Sequence, residues 1–199
     1  MQNGAAQFCP IEIGGKLATP DFTAFYQRWD EARGGADLPH KSHIRPAEIA
    51  PRFLPYITII GVENHGTRFV IRLAGSAILE TTRVEMTGWQ VDEAQPKPQQ
   101  EPFSIDDSQA SLERMKWSMS NRAPYCMGAR ASWSGDDMLV QRTLVLPYVG
   151  DEGTVERFLT LNDLEYADDP CRNCEARDCK AKELQTPDRI VREAHVTRR

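Results

Sequence analysis

Three of the five cysteines, Cys171, Cys174 and Cys179, fall within the nine residues CRNCEARDC near the end of the chain. A C-x2-C pair is the tight half of a zinc or iron–sulfur site, because two thiolates so spaced can converge on one ion, and Cys179 offers a third ligand. A fourth would come from His195, Cys9, Cys126 or a second chain. The flanking Asp168, Asp169, Arg172, Glu175, Arg177, Asp178 and Lys180 are charged and mixed in sign, which marks an exposed segment. Exposed thiols beside arginine and lysine also ionise and oxidise readily. The cluster therefore reads in three ways: a metal site, a redox-active pair, or a solvated helical tail with neither role.

Other chemistry-bearing residues do not form a catalytic set. Ser132, Ser134, Asp136 and Asp137 belong to one turn, and Glu80, Glu85, Asp92 and Glu93 have ordinary helix-surface spacing. The four histidines, at 40, 43, 65 and 195, include no H-x-x-x-H or H-E-x-x-H pattern. No nucleophile, base and orienting group are juxtaposed, so the expectation is a protein without catalytic activity. A basic loop, His40 to Arg45 with Arg52, and the pair Arg68 and Arg72 offer positive charge, and both read as solvated surface.

The elements that must position these residues follow from periodicity and capping. Residues 1–18 have no period and read as a flexible leader. Thr19 and Pro20 suit an N-cap and first helical position, and Phe22, Phe25, Tyr26 and Trp29 recur at helical spacing before Gly34 and Gly35 end a helix within 19–36. Its aromatic stripe suits packing onto its own domain first and a dimer interface second. Prolines at 39, 46, 51 and 55 exclude a long helix in the next stretch. Tyr56–Glu63 and Arg68–Leu73 read as a β-hairpin around Asn64-His65-Gly66. After Gly75 the chain turns helical to Gly88, then loops through Pro102, and a longer helix spans Ile105 to about Asn121. Strands at Tyr125–Trp133, Met138–Leu146 and Val155 to about Leu161 follow, the first two joined by a turn at Ser134–Asp137.

The net charge of −5 does not advertise a polyanionic partner, so nucleic acid is not expected. The longest apolar run, Tyr56 to Val62, is far short of a membrane span, and MQNGAAQFCP lacks the basic start and apolar core of a signal peptide. The reading is a cytoplasmic chain with reduced thiols and no membrane association.

Leu38-Pro39, Arg45-Pro46, Leu54-Pro55, RLAGSAI (72–78), EMTGW (85–89) and LVLPYVGDEG (144–153), set within this element order, resemble a bacterial PAS-like family of short, mostly single-domain proteins. Arg45 departs from the acidic residue expected before its proline, so a role for that loop does not carry over. The resemblance implies an α+β fold: a five-stranded antiparallel sheet with helices on one face, over residues 37–161, preceded by the amphipathic helix and followed by the Cys-containing tail, 162–199. It also implies a sensory or regulatory module that binds a small-molecule ligand or a signalling protein partner, with a homodimer expected. The cavity of such a fold would be lined by Ile71, Leu73, Ile78, Leu79, Trp89, Met115, Met119, Met127, Met138, Val140 and Leu144. If Met138, Val140, Leu144 and Leu146 face inward, alternation places Arg142 there too, and its guanidinium needs Glu80, Glu85 or a ligand anion as partner. Haem is not expected, because no histidine lies near the longer helix, nor covalent flavin, because Asn173-Cys174 follows the whole fold. The rival reading is a metal- or redox-responsive protein acting through Cys171, Cys174 and Cys179.

Overall fold

The computed structural model describes residues 7–10, 19–82, 85–91, 105–130 and 139–166. Helix α1, Pro20–Arg33, begins as its sequence dictates: the Phe22 amide donates to Thr19 Oγ1 at 3.1 Å, satisfying one of the orphan N–H groups of the first turn. It ends at Gly34, whose left-handed φ of 56° lets its N–H reach the Glu31 carbonyl. Phe22, Phe25 and Trp29 are buried, so the aromatic stripe packs on its own domain. The proline-rich stretch that follows forms only single 3-10 turns, Lys41–His43, Pro46–Glu48 and Leu54–Tyr56.

Strands β2 (Ile57–Glu63) and β3 (Arg68–Ala74) form the expected hairpin, turned by Asn64, His65 and Gly66, all at positive φ. Helices α2 (Ser76–Thr82) and α3 (Ile105–Asn121) come next, followed by β4 (Tyr125–Arg130), β5 (Leu139–Val149) and β6 (Val155–Tyr166). Gly75, between β3 and α2, is required by space: a Cβ there would lie 2.2 Å from the Pro55 carbonyl oxygen. Gly88 is required by angle, with φ of 88°. The expected turn at Ser134–Asp137, and Met138, lie outside the described residues.

With Gln7–Pro10 as β1, all strand pairings are antiparallel, in the order β1-β4-β5-β6-β2-β3. Two expectations are corrected here. The leader is not wholly irregular: Gln7–Pro10 forms β1, pairing with β4 in a register that sets Cys9 opposite Cys126. A four-residue strand is too short to show a period, and it forms because the edge of β4 presents unpaired backbone groups. The last strand does not stop near Leu161 either. It continues to Tyr166 because β5 is long enough to pair with it as far as Leu139, so Asn162 and Leu164 belong to the sheet.

The two faces of the sheet follow from register. Directly opposed residues share a face, so Gln141, Thr143 and Val145 of β5 lie with Leu164, Asn162 and Thr160 of β6. Arg142, Leu144 and Leu146 lie with Asp163, Leu161 and Leu159 on the other. Helix α1 crosses at β5: Trp29 Nε1 donates to the Pro147 carbonyl at 2.9 Å, and Arg28 acts electrostatically on the Tyr148 hydroxyl. Tyr148 alternates with Leu144 and Leu146, so α1 covers their face. Helices α2 and α3 cover the other, where Trp117 of α3 meets Tyr125 of β4 edge to face at 6.5 Å between ring centroids.

Candidate functional site

Between the sheet and the helices α2 and α3 lies a cavity of about 160 Å³. Ile60, Ile71, Tyr125, Met127 and Val145 supply apolar floor from four strands. Ile78 and Thr82 of α2, Met86 and Val91 of the following segment, and Ser111 and Met115 of α3 form the wall. The segment before α3 is held in place by the edge of β3: the Val91 amide donates to the Phe69 carbonyl at 2.9 Å, and the Gly88 amide to the Ile71 carbonyl at 2.7 Å. This is the sheet edge protected by an irregular strap.

A hydrogen-bonded cluster of uncharged polar side chains crosses the floor. Asn162 is its centre and is buried, as are Thr58, Thr143 and Thr160. The Asn162 Oδ1 accepts from Thr143 Oγ1 at 2.9 Å and from Gln141 Nε2 at 3.1 Å. Its Nδ2 donates one hydrogen to the Tyr56 carbonyl at 3.0 Å and shares the other between Thr160 Oγ1 at 3.2 Å and Thr58 Oγ1 at 3.4 Å. Three strands and the 3-10 turn before β2 are thereby tied together through one amide. Tyr125 is the one cavity-lining residue named here with a strongly perturbed pKa; burial pushes its phenol far above the ordinary range and keeps it neutral.

The structure brings together four of the expected lining residues: Ile71, Ile78, Met115 and Met127. Leu79 is corrected to an exposed position on the outer side of α2, at 38% accessibility. Trp89 packs beside the cavity, with the cluster of Ile78, Met86, Ile71 and Leu164. Met119 sits under the β2–β3 turn, where its Cε would be struck by a Cβ on Gly66. Leu73 is turned away by a β-bulge: Ile60 opposes Ile71 but Ile59 opposes Leu73, so residue 72 is extra and the alternation of β3 changes side. Met138 and the Val140 side chain lie outside the described residues.

The largest correction concerns β5. Leu144 is buried on the α1 face, not in the cavity, and Arg142 shares that face. Its Nε lies 3.3 Å from the Asp163 carboxylate directly across on β6, on the side of the sheet away from the cavity and from Glu80 of α2. Sequence reasoning chose the even-numbered side because Leu144 and Leu146 are more apolar than Gln141 and Thr143. Both sides of this strand are covered, however, and the polar side is the one facing the cavity. The signal available was the matching alternation of Gln141-x-Thr143 with Thr160-x-Asn162, two polar rows that can satisfy each other only as neighbours.

The basic surfaces are largely neutralised within the chain. Lys41 Nζ pairs with Glu156 at 2.6 Å and lies 3.6 Å from Asp151, which holds its ammonium above the usual lysine range, chiefly through the Glu156 hydrogen bond. Arg45 pairs with Glu48 at 2.9 Å and Arg52 with Asp21 at 3.1 Å. Arg68 and Arg72 both engage Glu63. The cysteines at 171, 174 and 179 lie outside the described residues. No helix among the described residues is long and apolar enough to cross a membrane.

An antiparallel sheet with two helices over one face and a small cavity between them is the architecture these elements build. The model of the PAS domain family matches residues 18–162, and the chain belongs to that family. No curated protein matches the chain. Membership extends over α1 and the whole sheet apart from β1 and the end of β6.

Proposed function

We propose that this PAS domain senses a small molecule held between the sheet and helices α2 and α3, and passes the signal to a protein partner without a reaction of its own. The carrying observation is the cavity itself: an apolar pocket of about 160 Å³ with a hydrogen-bonded Thr, Asn and Gln cluster across its floor. A space of roughly 150 Å³ lined by apolar groups is large enough to hold a six-membered ring. The polar cluster gives such a guest an orientation, as in ligand sites that place a few polar groups in an apolar wall. Its described lining offers hydrogen bonds and packing in place of acid–base groups, which favours binding over turnover. The aromatic stripe of α1 is used internally, so a homodimer would form through another surface.

Native mass spectrometry of the freshly purified full chain tests the proposal. An added organic mass that disappears in Ser111→Trp, where an indole would fill the cavity, supports it, provided circular dichroism shows the variant folded. Retention of that mass in the folded variant places the molecule elsewhere and overturns the proposal. A bare polypeptide, together with unshifted Ile71, Ile78 and Met115 methyl resonances on addition of small aromatic fragments, also overturns it.

A further inference from the structure

Resting on the cavity reading, we infer that the ligand is an uncharged molecule of single-ring size carrying a hydrogen-bond acceptor of carbonyl type, held by the hydroxyls of Thr58 and Thr160. The argument starts from how Asn162 is used. Its amide nitrogen can only donate; one hydrogen serves the Tyr56 carbonyl and the other is shared between Thr160 Oγ1 at 3.2 Å and Thr58 Oγ1 at 3.4 Å, so both of these oxygens act as acceptors on that side. Their own protons must point elsewhere. Among the described residues neither hydroxyl proton has an acceptor, yet both side chains are over nine-tenths buried and line the cavity. The Thr143 hydroxyl is spent differently, donating to Asn162 Oδ1 at 2.9 Å. Two buried donors therefore face the cavity with an unmet need for an acceptor, which a ligand oxygen would supply.

Charge and size narrow the class. No lysine, arginine, histidine or carboxylate is among the described lining residues, so an ionised guest would lose its hydration without gaining a counter-ion there. Arg114 of α3 touches the sulfur of Met127 at 3.9 Å and is not among the described lining residues. At ordinary interior packing density, about 160 Å³ of space takes about 120 Å³ of atoms, the volume of one ring with a short substituent.

Three probes of matched shape test this: acetophenone, ethylbenzene and benzoate, titrated into the full chain and followed by the methyl resonances of Ile60, Ile71, Ile78 and Met115. Acetophenone is expected to bind about 25-fold more tightly than ethylbenzene, the effect of two net hydrogen bonds, with benzoate weaker than both. Thr160→Val keeps the side-chain shape and is expected to weaken acetophenone about fivefold, the loss of one of its two hydrogen bonds, while leaving ethylbenzene unchanged; Thr58→Val provides the same comparison if the first variant fails to fold. Equal binding of acetophenone and ethylbenzene overturns the inference and leaves the cavity reading standing. Benzoate binding as tightly as acetophenone does the same, and points to Arg114. Failure of all three probes to shift any cavity methyl overturns the inference together with the cavity reading.

Discussion

Asn162 is the residue on which the proposed site depends most, and replacing it with alanine gives a calculable result. The substitution removes the acceptor of Thr143 and Gln141 and the donor that satisfies the Tyr56 carbonyl. Each of these three hydrogen bonds is worth about 1 kcal/mol net, and leaving a buried group unpaired tends to cost more, while water entering from the cavity recovers part of the loss. The expected destabilisation is therefore about 3 kcal/mol. For a domain of this size that corresponds to about 6–12 °C in Tm. Urea unfolding followed by tryptophan fluorescence would measure it, with an unchanged m value showing that the same surface is exposed on unfolding. A loss below about 1 kcal/mol would refute the reasoning, because it would mean that solvent already satisfies these groups. Asn162→Asp adds a sign. A carboxylate beside the Tyr56 carbonyl in a buried site would have its folded pKa raised above the unfolded value of about 3.9. Stability carried by the protonated form is then fully present below about pH 3.9 and lost as pH rises through the folded pKa, so the deficit of this variant should widen toward neutrality.

Gly75→Ala should cost about 3 kcal/mol or more, or prevent accumulation of folded protein, since the new Cβ would meet the Pro55 carbonyl oxygen at 2.2 Å; circular dichroism and thermal melting check it. Arg142→Gln should cost no more than about 1 kcal/mol, because the pair with Asp163 is partly exposed, and should leave probe binding in the cavity unchanged; weakened binding would refute the assignment of Arg142 to the α1 face. Burial raises the Tyr148 phenol pKa, so its stabilising contribution is full below the unfolded pKa of about 10 and is lost as pH rises toward the folded one. Tyr148→Phe should accordingly flatten the alkaline fall in stability by up to about 1.4 kcal/mol per pH unit, measured by urea melts above about pH 10. Trp29→Phe should cost about 1–2 kcal/mol in the same assay, because it removes the indole donor of the buried Pro147 carbonyl.

The local chain carried most of the fold. Thr19 with Pro20, Gly34, the prolines between α1 and β2, and the turn chemistry of Asn64-His65-Gly66 set boundaries by caps, fixed φ angles and positive φ, which depend on adjacent residues alone. The motifs RLAGSAI and LVLPYVGDEG carried the family, because spaced sequence motifs survive without knowledge of contacts. Which face of each strand meets the cavity was decided elsewhere. In β5 both sides are covered, one by α1 and one by α2 and α3, so burial does not distinguish Leu144 from Thr143; only the pairing of Thr143 with Asn162 across β6 makes the polar side interior. In β3 one extra residue opposite Ile59 and Ile60 reverses the alternation and removes Leu73 from the site. Apart from β1, the sequence alone determined the order of the helices and strands and which family they make. Tertiary structure decided which side chains meet, because a strand's period of two leaves its facing undetermined until partner strands and covering helices set the register and satisfy the buried polar groups.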